Sequence, residues 1–435
     1  MSLVNVIGAG LAGCEVAWRL ANEGIKVNLY EQKPEKKSPA HSSSSFSELV
    51  CSNSLRGNVL SNAVGLLKEE MRLLGSLIIE SAYENQVPAG GALAVDREKF
   101  SEYITEKIKN HPNITVINKE VTEIPGDEYT VIASGPLTSD ALFEEIRKIT
   151  GSDDLYFYDA AAPIVSFDSI DMTKAFKGSR YNKGDADYIN CPMNEEEYNK
   201  FYEALINAEC AEMKKFESQV VFEGCMPVET MAKRGHDTLL FGPLKPVGLR
   251  SESMEKDAYA VVQLRQDNKE ASMYNIVGFQ THLKFPEQKR VFSMIPGLEN
   301  AEFLRYGVMH RNTFINSPKI LNSYYGLKSN DKIFFAGQIT GVEGYVESAA
   351  SGLTVGIYLS QLLKGKEITE FSKNTAIGAL RHYISNESVE KFQPMNVNFG
   401  IINPLGYRVK GKQEKNLEIS KRALLEIEEL LNTGL

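Results

Sequence analysis

Val4-Asn5-Val6-Ile7-Gly8-Ala9-Gly10-Leu11-Ala12-Gly13, answered by Glu31, is the stretch whose reading decides the fold. Val4, Val6 and Ile7 make an apolar run suited to a buried first strand. Gly8 permits the tight turn after it, Gly10 lets the backbone approach a pyrophosphate, and Gly13 lets the following helix pack against the strand. Ala9, Leu11 and Ala12 complete the turn. The pattern predicts a helix over 11–22, with Val16, Ala17 and Leu20 on its inner face, stopped by Gly24. Ile25, Val27 and Leu29 alternate as a second strand that ends at Glu31. An acid about 20 residues beyond such glycines accepts hydrogen bonds from a ribose. The unpaired N–H groups and partial positive charge of the helix N-terminus favour phosphate. The stretch reads as a dinucleotide site; the alternative is a merely structural βαβ turn.

A second glycine-bearing stretch lies far downstream. Lys332-Ile333-Phe334-Phe335-Ala336-Gly337-Gln338-Ile339 reads as a buried strand meeting a glycine. Gly341, Gly344 and Gly352 follow, and Glu347-Ser348-Ala349-Ala350 opens a small-residue helix. Between the two, Tyr129-Thr130-Val131-Ile132 leads into a turn at Gly135. Two glycine sites this far apart favour FAD over NAD or S-adenosylmethionine as the tightly held cofactor, since a helix dipole can also stabilise a reduced flavin. A close-packed small-residue helix is the alternative for the second.

The bulk properties bound the remaining choices. The 435 residues suffice for two or three domains. Hydrophobic content of 43% with 24% charged residues is that of a globular protein. No apolar run is long enough to span a membrane, and the first strand begins within a few residues of Met1, so a cytoplasmic location is expected. The net charge of −9 gives nucleic acid no overall attraction, so an RNA partner needs a local basic patch. The five cysteines, Cys14, Cys51, Cys191, Cys210 and Cys225, are odd in number and form no CxxC pair. Individual thiols are expected, with neither a disulfide framework nor a metal site.

Along the chain, 32–45 carries Pro34, Pro39 and four consecutive serines and reads as a loop, over the cofactor or simply disordered. Glu48-Leu49-Val50-Cys51-Ser52-Asn53-Ser54-Leu55-Arg56-Gly57 then sets a cysteine among polar and cationic residues before a helix at about 63–74. Such a thiol suits nucleophilic or base work; a buried inert cysteine is the other reading. Asp96 is a plausible cap for a helix to Lys109, and 114–117 reads as a strand. From about 166 the pattern shifts to short polar strands and an amphipathic helix over 194–210, an inserted α+β domain. There Val220–Pro227 reads as a strand ending at Cys225, close to Lys233 and Arg234. Strands are expected at 260–264 and 275–279, and near Leu304 the chain rejoins the first domain. His310 sits in a polar cluster and reads as a structural residue or a ligand. The basic tail ends in an amphipathic helix over 417–431, solvated or facing RNA. The division expected is thus 1–165 and 304–435 as one Rossmann-like α/β domain of glutathione-reductase type, with 166–303 inserted.

Taken together, these residues resemble the folate- and FAD-dependent tRNA (uracil-5-)-methyltransferase family. The likeness runs through V-I-G-A-G-L-A-G, E-L-V-C-S-N-S-L-R, P-A-G-G-A-L-A-V-D-R, F-Y-D-A-A-A-P-I-V, F-E-G-C-M-P-V-E-T-M-A-K-R-G, Y-G-V-M-H-R-N-T-F-I-N-S-P and A-G-Q-I-T-G-V-E-G-Y-V-E-S-A-A-S-G-L, and continues in F-Q-P-M-N-V-N-F-G at 392–400. Cys14 is a departure, standing where other members carry another small residue. The glycine motifs are shared with the glucose-inhibited-division flavoproteins, which modify the wobble uridine; the two cysteine motifs are not. The resemblance implies that NAD(P)H reduces FAD and that 5,10-methylenetetrahydrofolate supplies one carbon to C5 of a uridine in the tRNA T-loop. It implies cofactor contacts at Gly8, Ala9, Gly10, Leu11, Ala12, Gly13, Glu31, Gly135, Gly337, Gln338 and Gly344, and a stacking role for His310 on the folate pterin. Uracil C5 is a poor nucleophile until a thiolate adds at C6, and a second group must then remove the C5 proton. Cys51 and Cys225 suit that pair of tasks; the sequence leaves open which is nucleophile and which is base, and the assignment taken forward is Cys225 on the uracil and Cys51 beside the flavin. The flipped-out base and salt-sensitive phosphate contacts follow for an RNA substrate. Candidate contacts are Lys233, Arg234, Lys284, Lys289, Arg290 and the C-terminal basic stretch. The same chemistry on 23S rRNA, wobble-uridine modification, and a flavin-bearing RNA-binding protein without methylation activity are the competing readings. Oligomeric state is not legible.

Overall fold

The first strand, Leu3–Ile7, is the centre of a six-stranded sheet. It pairs in parallel with Lys26–Glu31 on one side and with Thr130–Ile132 on the other. Asn330–Phe335 and then the antiparallel Gly326–Leu327 extend one edge, and Ile114–Asn118 completes the other. Val4, Val6, Leu29, Val131 and Phe335 are fully buried in it, as parallel strands covered on both faces require. The computed structural model describes residues 3–38, 40–151, 155–182, 185–211, 226–250, 257–390 and 392–435.

The crossover after the first strand is the helix Leu11–Asn22, which buries Val16, Ala17 and Leu20 and ends before Gly24, at φ +79°. The helix Tyr345–Leu363 lies directly across it. Contact there depends on small residues: a β-carbon on Gly352 would stand 2.3 Å from the carbonyl oxygen of Ala12. Asp96 caps the helix Arg97–Lys109, its Oδ1 accepting the Lys99 N–H at 3.1 Å. The C-terminal helix spans Lys412–Asn432, starting earlier than its apolar stripe indicates, and is tied back where Ser420 donates to the Leu60 carbonyl at 2.7 Å.

A second six-stranded sheet, wholly antiparallel, is built from Ile164–Ser166, Phe176–Gly178, Tyr188–Met193, Ala260–Gln266, Met273–Ile276 and Phe303–Arg305. Its own core, with Val165, Ile189, Tyr198, Phe201, Val262 and Phe292, lies beneath the helices Glu195–Ile206 and Phe285–Phe292. The first of these stops short of Cys210 and begins with a reciprocal cap between Asn194 and Glu197. The strand Met273–Ile276 lies earlier than the 275–279 expected, because Met273 and Tyr274 already pair with Ser166 and Val165. The two passages between the sheets, Leu155–Ala160 and Met309–Phe314, pair antiparallel with each other. The strand expected at 220–227 lies mostly outside the described residues; Met226 and Pro227 precede the short helix Val228–Ala232.

Candidate functional site

Three strands of the parallel sheet end beside one another, and each is followed by a glycine turn. Residues 10–12, 133–137 and 337–338 from those turns, with 343–346 and Ser348, line a cavity of about 450 Å3. This is the crevice outside the carboxyl ends of the strands where open α/β sheets bind ligands. A smaller cavity of about 100 Å3, lined by Gly8, Ala9, Glu31 and Lys119 among others, shares Gly10, His41, Glu48, Ser134 and Leu137 with the larger one. The pair forms one elongated trough, the shape a dinucleotide requires.

Each glycine in the first turn has a separate physical task. A β-carbon on Gly8 would meet the Ala133 carbonyl oxygen at 2.6 Å, and one on Gly13 would meet the Gly8 carbonyl oxygen at 1.8 Å. Gly13 therefore serves packing and does not line the trough. A β-carbon on Gly10 meets nothing within 4 Å, so this backbone faces open space, as close approach to a pyrophosphate demands. The helices Leu11–Asn22 and Tyr345–Leu363 both start at the wall, presenting two partial positive charges to a bound anion. Glu31, 7% exposed, accepts the Ala9 N–H at 3.0 Å and the Lys33 N–H at 2.9 Å. Each carboxylate oxygen retains a second lone pair. Gly135, Gly337 and Gly344 all hold positive φ, +70°, +85° and +110°, which favours glycine at these turns. Gln338 donates to Glu343 at 2.6 Å, fixing the mouth of the second turn.

Cys51 stands in the wall of the larger cavity, partly exposed, on the segment that follows the loop 32–45. Its N–H donates to the Tyr345 hydroxyl at 2.7 Å, which joins it to the start of the second glycine-bearing helix. Burial pushes the Tyr345 phenol well above its usual range, so the hydroxyl stays neutral. Three arginines hold the same segment, Arg265 from within the cavity wall. Arg97 donates to the Leu49 carbonyl at 2.6 Å, and its charge is matched by Asp267 at 2.9 Å. Arg265 donates to Ser52 at 2.7 Å and to Asn53 at 3.0 Å. Arg305 donates to the Val50 carbonyl at 3.0 Å. Two of the three come from the antiparallel sheet, so both sheets fix the position of this thiol. By contrast, burial pushes the Cys14 and Cys191 thiols up to about 12, which leaves them inert at neutral pH.

Arg56 reaches Glu347, a fully buried carboxylate on the second helix. Lys68, 1% exposed, donates to the carbonyls of Leu55, Arg56 and Gly57 at 2.8, 3.2 and 2.9 Å, pinning the strand that carries Arg56. His41 from the serine-rich loop lines both cavities. Cys225 lies outside the described residues. His310 lies on the strand Met309–Phe314 opposite Asp159, and its side chain is also outside the described residues. Of the basic candidates for RNA, Lys284 is paired with Glu209 and Arg290 with Glu287, each at 2.7 Å, and Lys233, Arg234 and Lys289 are exposed. Tyr345, Arg97, Arg265 and Arg305 were missed from sequence as site residues; only Arg97 and Tyr345 fall inside quoted motifs.

No helix of the described residues is long and apolar enough to cross a membrane. The family model described as glucose inhibited division protein A matches residues 3–367. The chain is 62% identical over 429 residues to methylenetetrahydrofolate–tRNA-(uracil-5-)-methyltransferase TrmFO of Acetivibrio thermocellus, covering 99% of this chain and 98% of that one. It is 60% identical over 430 residues to the protein of the same name from Bacillus licheniformis, covering 99% of each. Among solved structures, GidA of Aquifex aeolicus is similar in fold with a TM-score of 0.71 at 17% identity, over 98% of this chain and 72% of that one. Family model, full-length identity and fold agree: the chain belongs to the glucose-inhibited division protein A family and, within it, to the methylenetetrahydrofolate–tRNA-(uracil-5-)-methyltransferase TrmFO group.

Proposed function

We propose that this protein methylates C5 of a uridine in the T-loop of tRNA, using FAD, 5,10-methylenetetrahydrofolate and NAD(P)H, and yields 5-methyluridine. The observation that carries the reading is the placement of Cys51 in the same cavity wall as both glycine turns, in a chain 62% identical to TrmFO. The residues of the trough suit FAD: an open backbone at Gly10 for the pyrophosphate, Glu31 for a ribose, and a second helix N-terminus at Gly344–Tyr345. FAD bound there supplies the reducing equivalents and the one-carbon relay.

The protein's own contribution is to activate and orient the uracil. A thiolate of Cys225 adds to C6, and the electron pair of the C5–C6 bond moves into the ring as an enolate that is nucleophilic at C5. After the one-carbon unit is bonded to C5, Cys51 takes the C5 proton as the bond between that carbon and its carrier breaks, leaving an exocyclic methylene at C5; a hydride, which reduced FAD would supply, adds to that methylene to make the methyl group as the Cys225 sulfur leaves C6 and the C5–C6 double bond re-forms. Arg97, Arg265 and Arg305 keep the Cys51 segment fixed. His310 stacks on the folate pterin.

The test supplies unmodified tRNA transcript and, in parallel, a 23S rRNA fragment with methylenetetrahydrofolate and NAD(P)H under low oxygen, and reads nucleosides by mass spectrometry. 5-Methyluridine in the tRNA is expected. Product in the rRNA alone would keep the chemistry and refute the substrate; no product in either would refute the function.

A further inference from the structure

We propose that Cys210, Glu229 and His282 form a binding site for a divalent transition metal, zinc by its donor set, in the antiparallel domain. One ligand atom from each, the thiol sulfur, a carboxylate oxygen and an imidazole nitrogen, lies within 4.8 Å of the other two. They arrive from three separate segments: the exit of the helix Glu195–Ile206, the helix Val228–Ala232, and the stretch before the helix Phe285–Phe292. An antiparallel bridge between Cys210 and Leu283, and an Ala211 N–H to His282 carbonyl bond of 2.8 Å, fix two of these backbones side by side.

The geometry is that of donors converging on a point. Glu229 is 1% exposed, so its charge must be answered locally. His282 Nδ1 lies 2.6 Å from Glu229 Oε1, an ion pair when the imidazole is protonated, but the N–H is not aligned on that oxygen. The two atoms are close without pointing at each other. The carboxylate is meanwhile oriented from behind. Thr281 donates its hydroxyl to Oε2 at 2.9 Å, and the His282 N–H donates to Oε1 at 3.0 Å. Outer hydrogen bonds of this kind orient ligands in metal sites. Sulfur, imidazole and one carboxylate together select zinc over the hard cations, and three protein ligands leave one position for water. Nδ1 and Oε1 must part to about 3.3 Å, the edge of a zinc tetrahedron with bonds near 2.0 Å. The partly exposed Cys210 side gives the ion its entry.

The consequence concerns the segment that follows Cys225 in sequence. Glu229 follows Cys225 by four residues, so an ion here would fasten the segment leaving that cysteine to the body of the domain. The site depends on no step of the methylation reading and is tested without it. Full-length protein stripped with chelator is titrated with cobalt(II), whose thiolate bond gives a near-ultraviolet charge-transfer band, and zinc content is measured after purification. One cobalt per chain is expected, with the band lost in Cys210→Ser and kept in Cys51→Ala and Cys225→Ala. Thr281→Val, which removes only an outer hydrogen bond, should weaken zinc by roughly 10-fold. A chain that takes up no cobalt in thiolate ligation, or a band that survives Cys210→Ser, overturns the proposal. The cluster is then a hydrogen-bonded thiol, imidazole and carboxylate with no ion.

Discussion

Cys51 is defined less by its own side chain than by what holds its backbone. The Tyr345 hydroxyl and the guanidinium groups of Arg97, Arg265 and Arg305 together take up Leu49–Asn53. Cys51→Ala and Cys225→Ala should each lower the methylation rate by at least about 100-fold, the usual span of a lost acid–base group, while FAD content stays unchanged. Loss of bound FAD in either variant would instead assign that cysteine to the fold. Arg97→Met should cost about 3–5 kcal/mol in denaturant unfolding, since it strands the buried Asp267 carboxylate and frees two carbonyls. His310→Ala should raise the folate concentration needed for half-maximal rate and leave FAD in place; unchanged folate dependence would contradict the stacking role. None of the three arginines was legible as a neighbour of Cys51. The Arg97–Cys51 contact spans 46 residues and the Arg265–Ser52 contact 213, and no periodicity links positions so far apart.

Among the elements, the pairing of the helices Leu11–Asn22 and Tyr345–Leu363 sets the width of the trough. Gly352→Ala places a methyl group 2.3 Å from the Ala12 carbonyl, against backbone that cannot swing aside. The expected cost is about 1–3 kcal/mol, with weaker FAD retention because the first glycine turn moves with its helix. Gly356→Ala meets only the Arg19 side chain below 3.4 Å, at 2.9 Å, and should be milder. Thermal unfolding and flavin content of the two variants read this directly. Elements of this kind were the legible part of the chain. The strand at Val4–Ile7, the helix over 11–22 and the strand into Gly337 follow from local apolar patterning and glycine chemistry, which need no tertiary contact. Boundaries departed from the apolar pattern at two helix ends. The helix expected to reach Cys210 ends at Ile206, and the last helix begins at Lys412, beyond its apolar stripe.

At the scale of the molecule, buried carboxyls make stability depend on pH. Glu70 accepts the Ala376 and Ile377 N–H groups at 2.7 and 2.9 Å, and burial pushes its carboxyl from 4.5 up to about 8. Burial likewise raises Glu15 to about 7. An acid with a raised folded pKa holds more protons when folded than when unfolded, so its contribution is complete below about 4.5 and is lost as pH rises to about 8. Thermal midpoints should therefore fall across that window, and Glu70→Gln should flatten the fall.

The parallel sheet carries the trough, and the antiparallel sheet supplies two of the arginines that hold the Cys51 segment. In the proposed reaction the methyl carbon of the product comes from folate. Unmodified tRNA is incubated with the enzyme, NAD(P)H and methylenetetrahydrofolate carrying carbon-13 in its methylene bridge, and the nucleosides are weighed by mass spectrometry. 5-Methyluridine heavier by one mass unit is expected. Unlabelled 5-methyluridine, or product formed only when S-adenosylmethionine is supplied, would contradict it.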